Sequence, residues 1–263
     1  MLRDITIGQY IPGTSLVHKL DPRTKIISLV LYMIGLFLAN NFRGYLLVTF
    51  FTVGIILLSQ ISFLTIIKGM RPLMIIIILT LGMHLFLTKG DPLWQWGIFK
   101  ISEQGLRQGI FMVLRLIYLV TITSLLTLTT TPIALTDGIE KVLKLLFIPI
   151  AHELAMMMTI ALRFIPTLIE ETDKIMKAQM ARGADFESGG LLSRAKSLIP
   201  LLVPLFLSSF RRADDLAMAM EARCYRGGEN RTRMKQLVMG SRDYFAFILV
   251  GFFVVTTIYT RYW

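Results

Sequence analysis

Two arginines carry the clearest chemistry in this sequence. Each follows an alanine, in Ala181-Arg182-Gly183 and again in Ala222-Arg223-Cys224, 41 positions further on. A guanidinium is a planar fork of donors that grips a carboxylate bidentately and stays charged when partly desolvated. Projecting from a rigid helix end, it would reach into an acidic pocket on another protein. A plainer reading is that each arginine only complements a helix C-terminus, where the macrodipole favours a cation by a few tenths to ~1 kcal/mol. From the residues alone both readings stand. Catalytic alternatives find little to use. The chain has no GxxxxGKS/T, HExxH or GxSxG, so it brings no phosphate-cradling loop and no hydrolase motif of its own. Its one cysteine, Cys224, excludes an internal disulfide, and His18, His84 and His152 are too scattered for a ligand cluster. No catalytic residue, metal or cofactor is expected in this chain.

Rigid helices must stand behind these tips. Thr167 and Glu170, just after Pro166, have capping-box spacing. They predict a helix through Leu168, Thr172, Ile175, Met176 and Gln179 that stops at Gly183, a natural C′ residue. A second helix is expected from Arg211 through Asp214 and Met220 to Arg226, ended by Gly227-Gly228. Met156-Met157-Met158 fits either an adaptable binding surface or core packing.

The rest of the chain is too apolar for a soluble core. Hydrophobic residues make up 54% and charged residues 17%, against ~45–50% and roughly 25% in soluble domains. Five runs approach the ~20 apolar residues needed to cross ~30 Å of hydrocarbon: Ile26–Phe42, Gly44–Ile67, Pro72–Thr88, Gln108–Thr130 and Tyr244–Thr260. The first two are joined by a polar NNFRG hairpin, and the last ends beside Tyr262 and Trp263, residues suited to the interface. Arg115 lies inside the fourth run. It marks either a substrate path or a structural arginine snorkelling to the near membrane face. The net charge of +11 suits anionic lipid and the cytoplasmic side rather than nucleic acid. With the N-terminus inside, 13 flanking Lys and Arg are cytoplasmic and 5 (Arg43, Lys89, Lys100, Arg107 and Arg261) external, so the N-terminus is expected inside and the C-terminus outside. Trp94 and Trp96 would then be external. The first 25 residues lack a cleavable leader pattern, and no signal peptide is expected.

Between the fourth and fifth runs, Thr131–Arg242 holds 16 of the 28 basic and 12 of the 17 acidic residues. Val142–Pro166 carries Glu153 and Arg163, costly in lipid. Leu198–Phe210 is uncharged but has only 13 residues, with Pro200 and Pro204 inside. The favoured reading is a cytoplasmic helical region against the membrane; two further spans are the rival. The expected fold is all-α and polytopic: residues 1–130 with four transmembrane helices, 131–242 with long amphipathic coupling helices, and 243–263 with the fifth span.

These features resemble the transmembrane component of energy-coupling factor (ECF) transporters, the EcfT/CbiQ family, over essentially the full chain. The resemblance rests on Gly8-Gln9-Tyr10, Leu20-Asp21-Pro22-Arg23-Thr24-Lys25, Leu162-Arg163-Phe164-Ile165-Pro166, Ala178 through Asp185, and Arg211-Arg212-Ala213 through Arg223. It implies a non-enzymatic scaffold in the bacterial plasma membrane, joining a substrate-binding S-component to two cytoplasmic ATPases that bind ATP and Mg. It assigns Ala181, Arg182 and Gly183 to one ATPase and Ala222, Arg223 and Cys224 to the other. The second tip departs from the usual glycine at its third position. Cysteine lacks glycine's tolerance of positive φ, so Gly227 is expected to cap that helix instead. The S-component surface is expected on Leu198, Leu201, Pro204 and Leu205, within the most apolar stretch of the coupling region. The implied role is coupling ATP hydrolysis to vitamin or other micronutrient uptake. The competing function is a self-contained secondary transporter of about seven spans, which would pair charges at mid-membrane depth; no acidic residue accompanies Arg115 there.

Overall fold

The structure, a computed structural model, describes residues 10–88, 92–96, 99–184, 186, 190, 197–228 and 236–262. Its helices, in chain order, are α1 (Pro22–Leu38), α2 (Phe42–Ser59), α3 (Phe63–Met70), α4 (Met74–Leu87), α5 (Glu103–Thr129), α6 (Pro132–Leu145), α7 (Ala151–Ala181), α8 (Ile199–Ala222) and α9 (Ser241–Tyr262). A turn of 3-10 helix, Arg71–Leu73, joins α3 to α4. Between α4 and α5 the chain makes a small antiparallel hairpin, β1 (Pro92–Trp96) with β2 (Phe99–Ser102). The architecture is all-α as expected, with this hairpin as a minor addition. Of the sequence features, Gly8, Gln9, Lys89, Asp185 and Trp263 lie outside the described residues, as do the side chains of Trp94, Trp96 and Lys100.

Among the described residues, five stretches are long and apolar enough to cross a membrane: Phe42–Ser59, Phe63–Leu87, Glu103–Thr129, Ala151–Ala181 and Ser241–Tyr262. Four match expected runs. The second and third runs divide differently, because the helix breaks after Ser59 and not near Lys68. Gln60 takes a left-handed φ of 57°, and Ser59 Oγ caps the break, donating to Ile56 O and accepting from Ile61 N. The fifth stretch is α7, while α1 has 17 residues, about 26 Å of helix. α7 also corrects the expected start at Thr167. It begins at Ala151 and runs through Pro166, so Thr167 is interior and the capping box does not form. Pro166 withholds one N–H from the ladder, and the helix continues through it to Ala181.

The described residues divide into two compact units, one within 8–142 and 236–262 and the other within 143–228. The first holds four of these five stretches. Its buried centre is aromatic and aliphatic, with Tyr32 and Leu36 of α1, Val48 of α2, Leu125 of α5 and Phe253 of α9. Phe253 stacks on Tyr32 (5.4 Å between ring centroids) and on Phe51 (4.4 Å). Gly35 makes this possible, because a Cβ there would lie 2.7 Å from the Phe253 ring. The outward faces are the reverse of a soluble protein's: Phe50, Ile75, Ile78 and Phe252 are all exposed, as suits lipid.

The Leu20–Lys25 motif staples this unit. Asp21 caps α1 by accepting from Arg23 N at 2.9 Å, and its own N–H donates to Asp243 Oδ1 at 2.8 Å. Lys25 Nζ donates to Thr129 O (2.9 Å), Thr130 Oγ1 (3.1 Å) and His18 O (3.3 Å). One motif thereby holds together the starts of α1 and α9 and the end of α5. Arg115 also finds a structural partner. It donates to Ala39 O, at the C-terminus of α1, at 3.3 Å and lies 5.2 Å over the Phe37 ring.

Candidate functional site

The two arginine tips lie in the second unit and end their helices by the same device. After α7, Gly183 N donates to Met180 O (2.9 Å) and Ala184 N to Gln179 O (3.0 Å). After α8, Cys224 N donates to Glu221 O (2.8 Å) and Tyr225 N to Met220 O (3.0 Å). These are the two bonds of a Schellman motif, which closes when the residue after the cap turns left-handed. Gly183 does so at φ 89° and Cys224 at φ 54°. The expectation that Gly227 would cap the second helix is therefore corrected. Cys224 takes the glycine's conformation despite its Cβ, and the two tips are conformationally equivalent. Arg182 and Arg223 are the cap residues themselves and are exposed, as are Ala181, Gly183, Ala222 and Cys224. Among the described residues neither guanidinium forms an ion pair.

The pairing of α7 with α8 decides where the tips stand. Gln179 Nε2 donates to Pro200 O at 3.5 Å, Glu171 accepts from Ser208 and from Arg212, and Tyr225 Oη meets His152 Nε2 at 3.4 Å. Partner numbers rise on one helix as they fall on the other, so the helices run antiparallel and the arginines sit at opposite ends. The 24 residues of α8 at ~1.5 Å each separate them by about 35 Å. Glu171 and Arg212 are themselves 41 positions apart, the spacing of the tips, and they pair with each other. Each member of this ion pair lies 11 residues before the arginine of its own helix, so the pair joins the two helices midway between the tips.

α8 also carries an apolar stripe. Ile199, Leu202, Val203, Phe206, Leu207 and Phe210 are exposed at the spacing of one helix face. Of the positions singled out from sequence, Leu198 is exposed, Pro204 and Leu205 are half-buried, and Leu201 is buried at 6%. Sequence reasoning missed the stripe because every residue of Leu198–Ser209 is uncharged, leaving no polar face to mark the outward side. It also missed the α6–α7 turn, where Phe147 is 93% exposed at a φ of 58° beside exposed Leu145, Leu146 and Ile150. Met157 is exposed, with Met156 and Met158 half-buried.

Comparison with known proteins gives one consistent answer. The family described as CbiQ, cobalt transport protein, matches residues 13–234. A relative from Thermosediminibacter oceani named energy-coupling factor transporter transmembrane protein EcfT is 61% identical, over 99% of both chains. Proteins of the same name from Clostridium kluyveri and Bacillus subtilis are 56% and 54% identical, over 100% and 92% of this chain and 99% and 93% of their own.

Proposed function

The chain belongs to the CbiQ/EcfT family of energy-coupling factor transporter transmembrane components, and from that premise we propose that it is the non-catalytic subunit coupling two ATPases to a substrate-binding S-component. The observation that carries this reading is the pair of conformationally equivalent arginine tips at opposite ends of an antiparallel helix pair. A scaffold that must hold two homologous partners needs two equivalent docking elements. Each tip offers a forked donor free of an ion pair with the described residues, on a Schellman-closed helix end. ATP and Mg would be bound by the ATPases, and their closing and opening would move the tips. The long helices α7 and α8 would carry that motion to the apolar stripe of α8, where the S-component would dock. Substrate choice, a vitamin or another micronutrient, would rest with that subunit. The charged half of α7, from Glu170 to Lys177, belongs on this reading to the cytoplasm, with its apolar first half lying along the bilayer rather than across it.

Co-purification and transport assays on tip variants test the proposal. Arg182→Ala and Arg223→Ala should each uncouple transport from ATP hydrolysis, and the double variant should release both ATPases. Removing one side of a desolvated arginine–carboxylate contact costs ~2–5 kcal/mol because the other charge is left unpaired. The exposed Arg211 is the control, expected to be worth ~0–1 kcal/mol. Lysine should rescue poorly, since it keeps the charge and loses the fork. A double alanine variant that binds both ATPases and transports normally would reduce the tips to capped helix ends.

A further inference from the structure

The turn between α6 and α7 holds the most exposed large apolar side chain among the described residues, and neither arginine tip nor α8 stripe gives it a role. α6 closes by the same device as the two tips. Phe147 N donates to Lys144 O and Ile148 N to Leu143 O, both at 3.1 Å, with Phe147 left-handed at φ 58°. Leu146 stands where the tips have Arg182 and Arg223, so this third helix end is apolar. A bulky residue rarely accepts such a φ, and glycine or asparagine would close the turn more easily. What Phe147 supplies is its ring, 93% exposed.

The directions in which the turn is apolar specify what covers it. Successive residues at a helix end point about 100° apart, yet Leu145, Leu146, Phe147, Pro149 and Ile150 are all exposed and only Ile148 is half-buried. Between Lys144 and His152 no side chain is polar. A groove on a partner protein reads one stripe, such as α8 presents. Side chains that are apolar on every side fit a medium that is apolar on every side, the hydrocarbon of a bilayer. Lys144, exposed at the edge of the run, suits the anionic headgroups that lie just above that hydrocarbon. The run also leads directly into the apolar first half of α7, which is hardly buried within the protein.

We propose that the α6–α7 turn is a membrane anchor, with Leu145, Leu146, Phe147 and Ile150 inserted among acyl chains of the cytoplasmic leaflet and Lys144 at the depth of the phosphates. This rests on the cytoplasmic placement of the second unit proposed above. It adds a lipid contact to the two tips: the start of α7 is held by the bilayer while its end follows an ATPase.

Nitroxide labels on single cysteines test this in the full chain, reconstituted in nanodiscs of phosphatidylglycerol and phosphatidylethanolamine. They are placed one at a time at Leu146, Phe147, Ile150 and Met157, in a Cys224→Ser background. At 146, 147 and 150, oxygen should relax the label several-fold more effectively than a water-soluble nickel chelate. Depth should be greatest at 147 and less at 157. Phe147→Asn keeps the left-handed turn, which asparagine tolerates, and should raise nickel access at 146 several-fold. Labels open to nickel in the chain alone would overturn the anchor, and their shielding by an added S-component or ATPase would identify a protein site instead. Depth that increases from 147 to 157 would mean that α7 crosses the membrane, and would overturn it too, as would unchanged nickel access at 146 in Phe147→Asn. The tip variants are read by transport and co-purification, so the anchor can fail while the coupling assignment stands.

Discussion

Cys224 holds a backbone conformation, φ 54°, that costs a residue with a Cβ roughly 1–2 kcal/mol. The cost is borne so that Cys224 N and Tyr225 N can satisfy the carbonyls of Glu221 and Met220 and aim Arg223 outward as Arg182 is aimed. Glycine at this position should relieve the strain. Cys224→Gly is expected to stabilise the tip by about 0.5–1 kcal/mol after glycine's own entropy cost. Hydrogen exchange at the Tyr225 amide should slow by a factor of about two to five, and Cys224→Val should speed it. No change in either variant would show that the left-handed turn is unstrained. The same position shows where reading by residue type stops. Gly183 announced its turn, whereas Cys224 argued against one, and only the equivalence of the two helix ends imposed it. Lys25 is similar. Its motif was visible, but its acceptors Thr129 and Thr130 lie more than 100 residues away, beyond any local spacing rule.

Helices α7 and α8 were legible as two helices ending in arginine, because Gly183 and the polar turns after Arg223 punctuate the chain. Their starts were not. Pro166 read as a boundary, yet α7 runs 15 residues before it from Ala151. The outward face of α8 was equally hidden, since periodicity needs polar residues to contrast with apolar ones. Antiparallel packing on α7 supplies the contrast: Leu201 is buried, while Leu202 and Phe206 are exposed. This separates two substitutions the sequence treats alike. Phe206→Asp should leave the helix pair folded and the ATPases bound, and should release the S-component in co-purification. Leu201→Asp places a carboxylate inside the unit and should destabilise it by several kcal/mol, losing all partners together. Retention of the S-component by Phe206→Asp would remove the stripe from the coupling surface.

For the molecule as a whole, the proposed function fixes an orientation, because ATP lies on one side of the membrane only. The tips must therefore be cytoplasmic, in agreement with the excess of basic residues on the flanks assigned to that side. The chain carries its own probe of this. Cys224 is the only cysteine, it is exposed, and it sits at the second tip. A membrane-impermeant maleimide should leave it unlabelled in intact cells and label it once the membrane is opened. In membranes holding the complete transporter, labelling should be slower than in membranes holding this chain alone, because an ATPase seated on Arg223 covers the adjacent thiol. The two comparisons separate topology from docking. Labelling from outside intact cells would invert the orientation, and with it exclude contact between the tips and any cytoplasmic ATPase. Correct sidedness with no protection by the ATPases would keep the topology and move the docking site away from the second tip.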